Sequence, residues 1–415
     1  MLLTASAYAA VPGIVSTGGS NGTFDISAEA AYIVQPDGAS IYSWGYGCAG
    51  STANFAPTVG NVTFPNALCT TMQIPGPTMV VTAGTTFHVT LHNNLPAAAG
   101  NTSILFPGFQ VSTSGGVAGL LTQEAAHGGI VTYNVTVPAD AGGTHSYYSG
   151  TQGDLQVEMG LYGAIVIIPS ATPSACMSGL AAKNILAEQN WGEHDYRLAK
   201  AAWNHPKACY DREYMFQFSE MDPAIHHAAE MQVRAKTGCT AGAVGCSLNI
   251  PTEPYHPAYF LVNGRSMPDL MDPEYAPEYP HQPYNANPHM HAGEQVLVRV
   301  VGTGRWQHPF HEHANHVRIL GRDGNIIVSQ TNPTQDLAGP VLFTTSTVPG
   351  QTADGIFYFT GRGLNWDMYG HHPGSNDPNA TVFCTADGNG YNTGDPTAIN
   401  YFEWCQDHNK PLEVA

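Results

Sequence analysis

The sequence predicts an all-β protein built as two β-sandwich domains, and three observations carry that expectation. Short runs of alternating apolar and polar residues recur between Gly and Pro turns, the pattern of half-buried strands in sandwiches. Charged residues make up only 11% of the chain, against roughly 25% in an average soluble domain, while Gly (45), Pro (30) and Tyr (20) are abundant. With 415 residues the chain exceeds the usual single-domain size, so two domains of roughly 170 to 240 residues are expected.

The elements follow in order. Met79–Thr82 reads as a short strand after the turn-rich Met72–Thr78, and Ala83-Gly84 as a turn. Thr85–Asn93 alternates, with Phe87, Val89 and Leu91 on one face and His88 and His92 on the solvent side. Ile130–Val137 and Leu161–Ile168 are further strands, and Pro169 opens a Ser/Pro/Thr stretch that ends the first domain near residue 172. Beyond it, Ile185–Trp191 and Glu213–Ser219 read as strands, and Tyr196–Asn204 and Pro223–Arg234 as short helices. His205, His226 and His227 have no carboxylate at ligand spacing and are expected at the surface. Tyr259–Gly264 starts a second strand-rich block. The Pro-rich loop over 267–288, with Asp269, Asp272, Glu274 and Glu278, reads as extended and solvated. Gly293–Val301, Val317–Leu320 and Gly355–Phe359 complete the strands.

Composition narrows the function classes. A formal net charge of -18 repels nucleic-acid phosphates and anionic membranes, and attracts metal cations. The eight cysteines form no Cys-x-x-Cys pair, so zinc knuckle, thioredoxin-like and haem-attachment motifs are missing. Their scatter through turn-rich segments fits loop disulfides in an oxidising compartment. Proximity pairs Cys48 with Cys69, Cys239 with Cys246, Cys384 with Cys405 and Cys176 with Cys209, although eight cysteines permit about 105 pairings. Met1–Ala10 is leader-like, with Ala7-Tyr8-Ala9 as a small-residue cleavage signal, and no segment reaches the 18 or so apolar residues of a membrane helix. The expected location is extracellular, at the cell surface or periplasmic.

The densest chemistry is His308-Pro309-Phe310-His311-Glu312-His313-Ala314-Asn315-His316. Histidine is the commonest metal ligand, and on a strand His311 and His313 face the same way. Pro309 leaves the facing of His308 open. His289-Met290-His291 and His371-His372 add candidates, and imidazole sets favour copper by affinity order. His-Glu-x-x-His and Walker motifs do not occur.

Several further segments carry a family likeness: Ile74-Pro-Gly-Pro-Thr78, Val89–Leu95, Gly143–Thr151, Gly160–Ile167, Val262-Asn-Gly264, Gly293–Val300, His308–His313 and Gly321–Gly324. Together they resemble the multicopper oxidases, proteins of linked cupredoxin domains that pass electrons from a mononuclear copper to a trinuclear cluster where oxygen is reduced. The resemblance implies two cupredoxin-like Greek-key β-sandwich domains with long Gly/Pro-rich loops, over residues 1–172 and 173–415. It also implies that His308, His311 and His313, joined by His371, are what remains of the ligand set. At the other ligand positions this chain has Leu105, Pro107, Tyr148 and Gly150, and no Cys stands between histidines, so a blue copper centre lacks its thiolate. The expectation is a secreted copper-binding protein, degenerate as an oxidase, with at most one mononuclear site. The alternatives are a non-catalytic structural or cell-surface assembly protein, including a homo-oligomer, and a copper-dependent oxidase of phenols or metal ions.

Overall fold

The computed structural model describes residues 11–17, 22–50, 54–56, 66–176, 200–288, 290, 295–313, 315–358, 385–386 and 392–393. The expected strand over 185–191, His289, His291, His371, His372, Cys384 and Cys405 lie outside them. Architecture is mostly β. The N-terminal part supplies β1 (Gly13–Val15), β2 (Thr23–Val34), β3 (Ser40–Cys48), β4 (Asn54–Ala56), β5 (Met79–Thr82) and β6 (Thr86–Asn93). It continues with β7 (Gln110–Gly115), β8 (Val117–Ala118), β9 (Gln123–Glu124), β10 (Ile130–Thr136), β11 (Gly143–Tyr148) and β12 (Tyr162–Ile168). They form two five-stranded sheets, ordered β3-β2-β6-β10-β7 and β11-β12-β5-β1-β4.

These sheets stack because each turns an apolar row inward. Phe24, Ile26, Phe87, Val89, Leu91, Val131, Tyr133 and Val135 from the first meet Met79, Val81, Tyr147, Ile165 and Ile167 from the second in one core. Phe106 sits inside it between Tyr133 and Phe87, with ring centroids at 5.6 and 6.3 Å. Strand β6 keeps the expected alternation, Phe87, Val89 and Leu91 buried and Thr86, His88, Thr90 and His92 half-buried. His88 and His92 lie on the outer face, where His92 Nε2 is 2.7 Å from Asp25 Oδ1. Strands β1, β2, β3 and β4 all precede residue 72, where the sequence pattern predicts none. The Ala-rich Ser27–Ala31 stretch of β2 has low strand propensity, and pairing supplies its order: β2 lies parallel to β6 and antiparallel to β3.

The C-terminal part opens with the short strands β13 (Lys200–Ala201) and β14 (Cys209–Tyr210) and centres on β15 (Arg212–Met221), β16 (Tyr259–Val262), β17 (Gln295–Gly302), β19 (Val317–Arg322) and β23 (Thr352–Tyr358), in one sheet that also takes β20 (Asn325–Ile326) and β21 (Val341–Leu342). Strands β18 (His308–His311) and β22 (Thr344–Thr347) pair separately. The two parts meet across β12, which is buried on both faces. Ile165 and Ile167 enter the N-terminal core, while Ala164 and Val166 pack with Val80, Met215 and Val301. This explains its unbroken apolar run.

The helix expected from Pro223 is present as Pro223–Ala235, with Pro at its first turn and Asp222 as its cap. Asp222 accepts from the Ala224 N–H at 2.9 Å and from the His256 N–H at 2.8 Å. Asp222→Ala is expected to cost roughly 1–2 kcal/mol in urea unfolding, the range for a lost helix cap.

Three expectations are corrected. His205 and His226 are buried, not surface residues, whereas His227 is exposed. His226 packs under β3, its Nδ1 2.7 Å from the Tyr42 carbonyl and its Nε2 3.0 Å from that of Glu158. In place of a helix through Asn204, Lys200–Ala201 pairs with Cys209–Tyr210 as a short hairpin, and the buried Trp203 fills the space that the Cβ-free Gly142 and Gly143 leave open. The 267–288 loop is solvated only in part: Asp272 and Glu278 are exposed, but Tyr275, Ala276, Gln282 and Tyr284 are buried. The buried Arg265 donates to the carbonyls of Gln282, Asp272 and Pro273, and the buried Tyr284 hydroxyl accepts from the Thr78 N–H at 3.1 Å.

Disulfides join Cys48 to Cys69, Cys176 to Cys209 and Cys239 to Cys246, three of the pairs expected from proximity. No helix among the described residues is long and apolar enough to cross a membrane.

Candidate functional site

Strand β18 pairs with β22 in register, His308 opposite Thr347 and His311 opposite Thr344. Period two then decides what Pro309 left open in the sequence. His308, Phe310 and Glu312 point to one face and are half-buried, while His311 and His313 point to the other and are exposed.

His308 is engaged on its own face. Its Nε2 donates to Glu220 Oε2 at 2.7 Å, and its ring stacks on Phe218 at 5.7 Å between centroids. The buried Glu220 also accepts from the backbone N–H groups of Arg305 and Trp306 through Oε1. A carboxylate so held fixes the orientation of the His308 ring.

On the opposite face the rings of His311 and His313 stand 5.0 Å apart between centroids. His311 Nδ1 lies 2.7 Å from Thr344 Oγ1, which orients that ring, and Phe343 sits edge-on to both His311 and His316. The carboxyl of the half-buried Glu312 has no hydrogen-bond partner among the described residues, and desolvation raises its pKa. The structure therefore brings together two of the predicted site residues, His311 and His313, and turns His308 toward Glu220. His371 lies outside the described residues.

Of the four N-terminal positions where the resemblance expects ligands, those of Leu105, Tyr148 and Gly150 are adjacent. The Leu105 N–H donates to the Tyr148 carbonyl at 2.8 Å, and a Cβ on Gly150 would lie 2.8 Å from Leu105 Cγ. Leucine packed on glycine leaves no donor where a copper cluster needs nitrogen, so the residues present there do not fit such a cluster. Among the described residues no group of three or more His, Cys, Asp or Glu side chains converges as a metal cage would.

Two histidines that sequence reasoning set aside or passed over belong to the buried interior. Burial depresses the pKa of both His145 and His226. The His145 ring lies against Phe109, with 4.5 Å between centroids, and the Cβ-free Gly324 leaves room for its Nε2. The Gly143–Thr151 motif contains His145 but gives no signal of that burial, which depends on a turn from the other half of the chain.

Residues 60–172 match the family model described as multicopper oxidase. The chain carries a multicopper oxidase family domain. No curated protein matches the chain. Among solved structures it is similar to a blue copper oxidase from Nitrosomonas europaea, at 16% identity and a TM-score of 0.48 over 81% of this chain and 75% of that one. It is also similar to a copper nitrite reductase from Nitrosomonas europaea, at 17% and 0.46 over 82% and 86%. A multicopper oxidase from Campylobacter jejuni, titled a metallo-oxidase, matches at 14% and 0.48 over 84% of this chain and 53% of that one. Inside the matched stretch, the positions where the resemblance expects copper ligands hold Leu105, Pro107, Tyr148 and Gly150.

Proposed function

We propose that this protein is an exported, degenerate relative of the multicopper oxidases that binds one transition-metal ion, copper by preference, through His311 and His313. The observation that carries the reading is the exposed imidazole pair, 5.0 Å between ring centroids on one face of β18. Two neutral imidazoles suit copper, and Thr344 holds the first ring in place as an outer-shell partner. Bound copper would supply one-electron redox chemistry or simple storage. The chain's own residues bind and orient it: His311 and His313 give nitrogen, and His308 is reserved by Glu220. Disulfide pairing and the leader-like start support export to an oxidising compartment.

Copper titration followed by calorimetry and paramagnetic resonance tests this. About one copper per chain is expected, without an intense thiolate-to-copper band. His311→Ala and His313→Ala should each weaken binding at least about tenfold, whereas His308→Ala should leave it within about twofold. Three or more coppers per chain, or equal sensitivity to His308→Ala, would overturn the reading, and His371→Ala tests whether that residue completes the site. The second reading, a non-catalytic assembly protein, is favoured by a separate observation on β7.

A further inference from the structure

We propose that β7 is a self-association edge, through which two copies of this chain pair antiparallel across a two-fold axis and join their sheets. Strand β7 ends the sheet β3-β2-β6-β10-β7, pairing with β10 from Gln110 opposite Thr136 to Gly115 opposite Val131. Among the described residues no strand pairs with its other side. The opposite end of the same sheet is covered. On β3, the Trp44 N–H donates to the Met159 carbonyl, the Cys48 N–H to that of Thr70, and the Tyr46 carbonyl accepts from the Gln73 N–H, all within 3.0 Å. One edge is thus closed by the chain itself and one is open.

Open edges are normally guarded by charge, by proline or by a bulge, because a free row of backbone N–H and C=O groups templates another strand. Strand β7, Gln-Val-Ser-Thr-Ser-Gly, has neither charge nor proline, and its register with β10 is continuous. Apolar side chains flank it. Leu120 is 92% and Leu121 64% exposed, and with Val111, Pro107 and Leu105 they border a groove of about 550 Å³.

Charge identifies the occupant. The chain carries a net -18, so two copies repel over most of their surfaces. Residues 95–139 hold no Lys, Arg or Asp and a single Glu, Glu124, whose side chain is buried against Thr151 and Asn101. The face around β7 is where two such polyanions can approach to the ~4.8 Å spacing of paired strands. An antiparallel pair about a two-fold axis also needs no second sequence, since the strand is its own complement.

Sedimentation of the full chain across a concentration series tests the proposal, together with hydrogen exchange at residues 110–115. A dimer is expected, with β7 amides whose protection rises with protein concentration. Ser112→Lys/Ser114→Lys should raise the dissociation constant at least about tenfold, because like charges would face each other across the axis, while the thermal midpoint of the monomer stays unchanged. Leu120→Ser/Leu121→Ser should weaken the dimer without abolishing it. A monomer at every concentration would overturn the proposal, as would a trimeric mass or an assembly indifferent to the lysines. So would β7 protection independent of concentration, the sign of cover by another segment of the same chain. None of these outcomes depends on copper, so they separate from failure of the metal reading.

Discussion

Arg299→Met is expected to destabilise the protein by roughly 3–5 kcal/mol, the cost of leaving buried carboxylates without their cation. Arg299 is fully buried on β17 and donates through Nε and Nη2 to Glu213 Oε2 on β15, at 2.9 and 2.7 Å. Its Nη1 reaches Asp354 Oδ1 on β23 and Thr144 Oγ1 on β11, both at 3.0 Å. Thr144 closes the cluster, donating its N–H to Asp354 Oδ2 at 2.8 Å and its hydroxyl to Oδ1 at 2.6 Å. One guanidinium therefore ties three strands of the C-terminal sheet to the N-terminal sandwich. Methionine keeps much of the volume but removes the guanidinium that faces two buried carboxylates. Urea unfolding with an unchanged slope is the measurement, and a loss below about 1 kcal/mol would show that water reaches the cluster. Asp354→Asn, which keeps an acceptor for Arg299, should cost less.

Stability is expected to fall as pH rises from 6.5 to about 8, the reverse of ordinary acid denaturation. Desolvation pushes Glu158 up to about 7, against the Asp222 N–H, the Tyr255 hydroxyl and Arg305, which favour its ionised form. Desolvation pushes Glu274 up to about 8 despite the nearby Arg265. A carboxyl whose folded pKa lies above its unfolded value holds more protons when native. Its stabilisation is complete at low pH and is lost as pH rises through the folded value, by at most about 1.4 kcal/mol per pH unit and group. His145 and His226 act in the opposite sense. Their folded pKa values lie below 6.5, so their contribution is present above 6.5 and is lost as pH falls. Above 6.5 the contribution of these two histidines is complete, while that of the two carboxyls is still being lost. Glu158→Gln/Glu274→Gln should flatten thermal midpoints across that window, and a slope that survives both substitutions would assign it to other groups.

Local pattern carried much of this reading. The alternation of β6, the continuous apolar run of β12, the Pro223 helix start and three disulfide pairs were all legible, because each depends on residues close in sequence. Strand β2 was not, since Ala-rich segments are ordered by their neighbours. His226 was not, because the carbonyls that receive it come from Tyr42 and Glu158, each far away in the chain. The loop around Glu274 looked solvated because nothing in its own sequence reveals the buried Arg265 it wraps.

The sequence by itself determined the β class, the family likeness and the replacement of ligand positions by Leu105, Pro107, Tyr148 and Gly150, all of which are statements of residue identity. Only the tertiary structure decided that His308 parts company with His311 and His313, that Arg299 joins the two halves, and that the outer edge of β7 has no partner strand among the described residues while β3 is covered. The reason is the same in each case. Side-chain direction on a strand and the fate of a sheet edge are set by pairing with distant residues, and a one-residue change of register would send His308 and His311 to each other's faces.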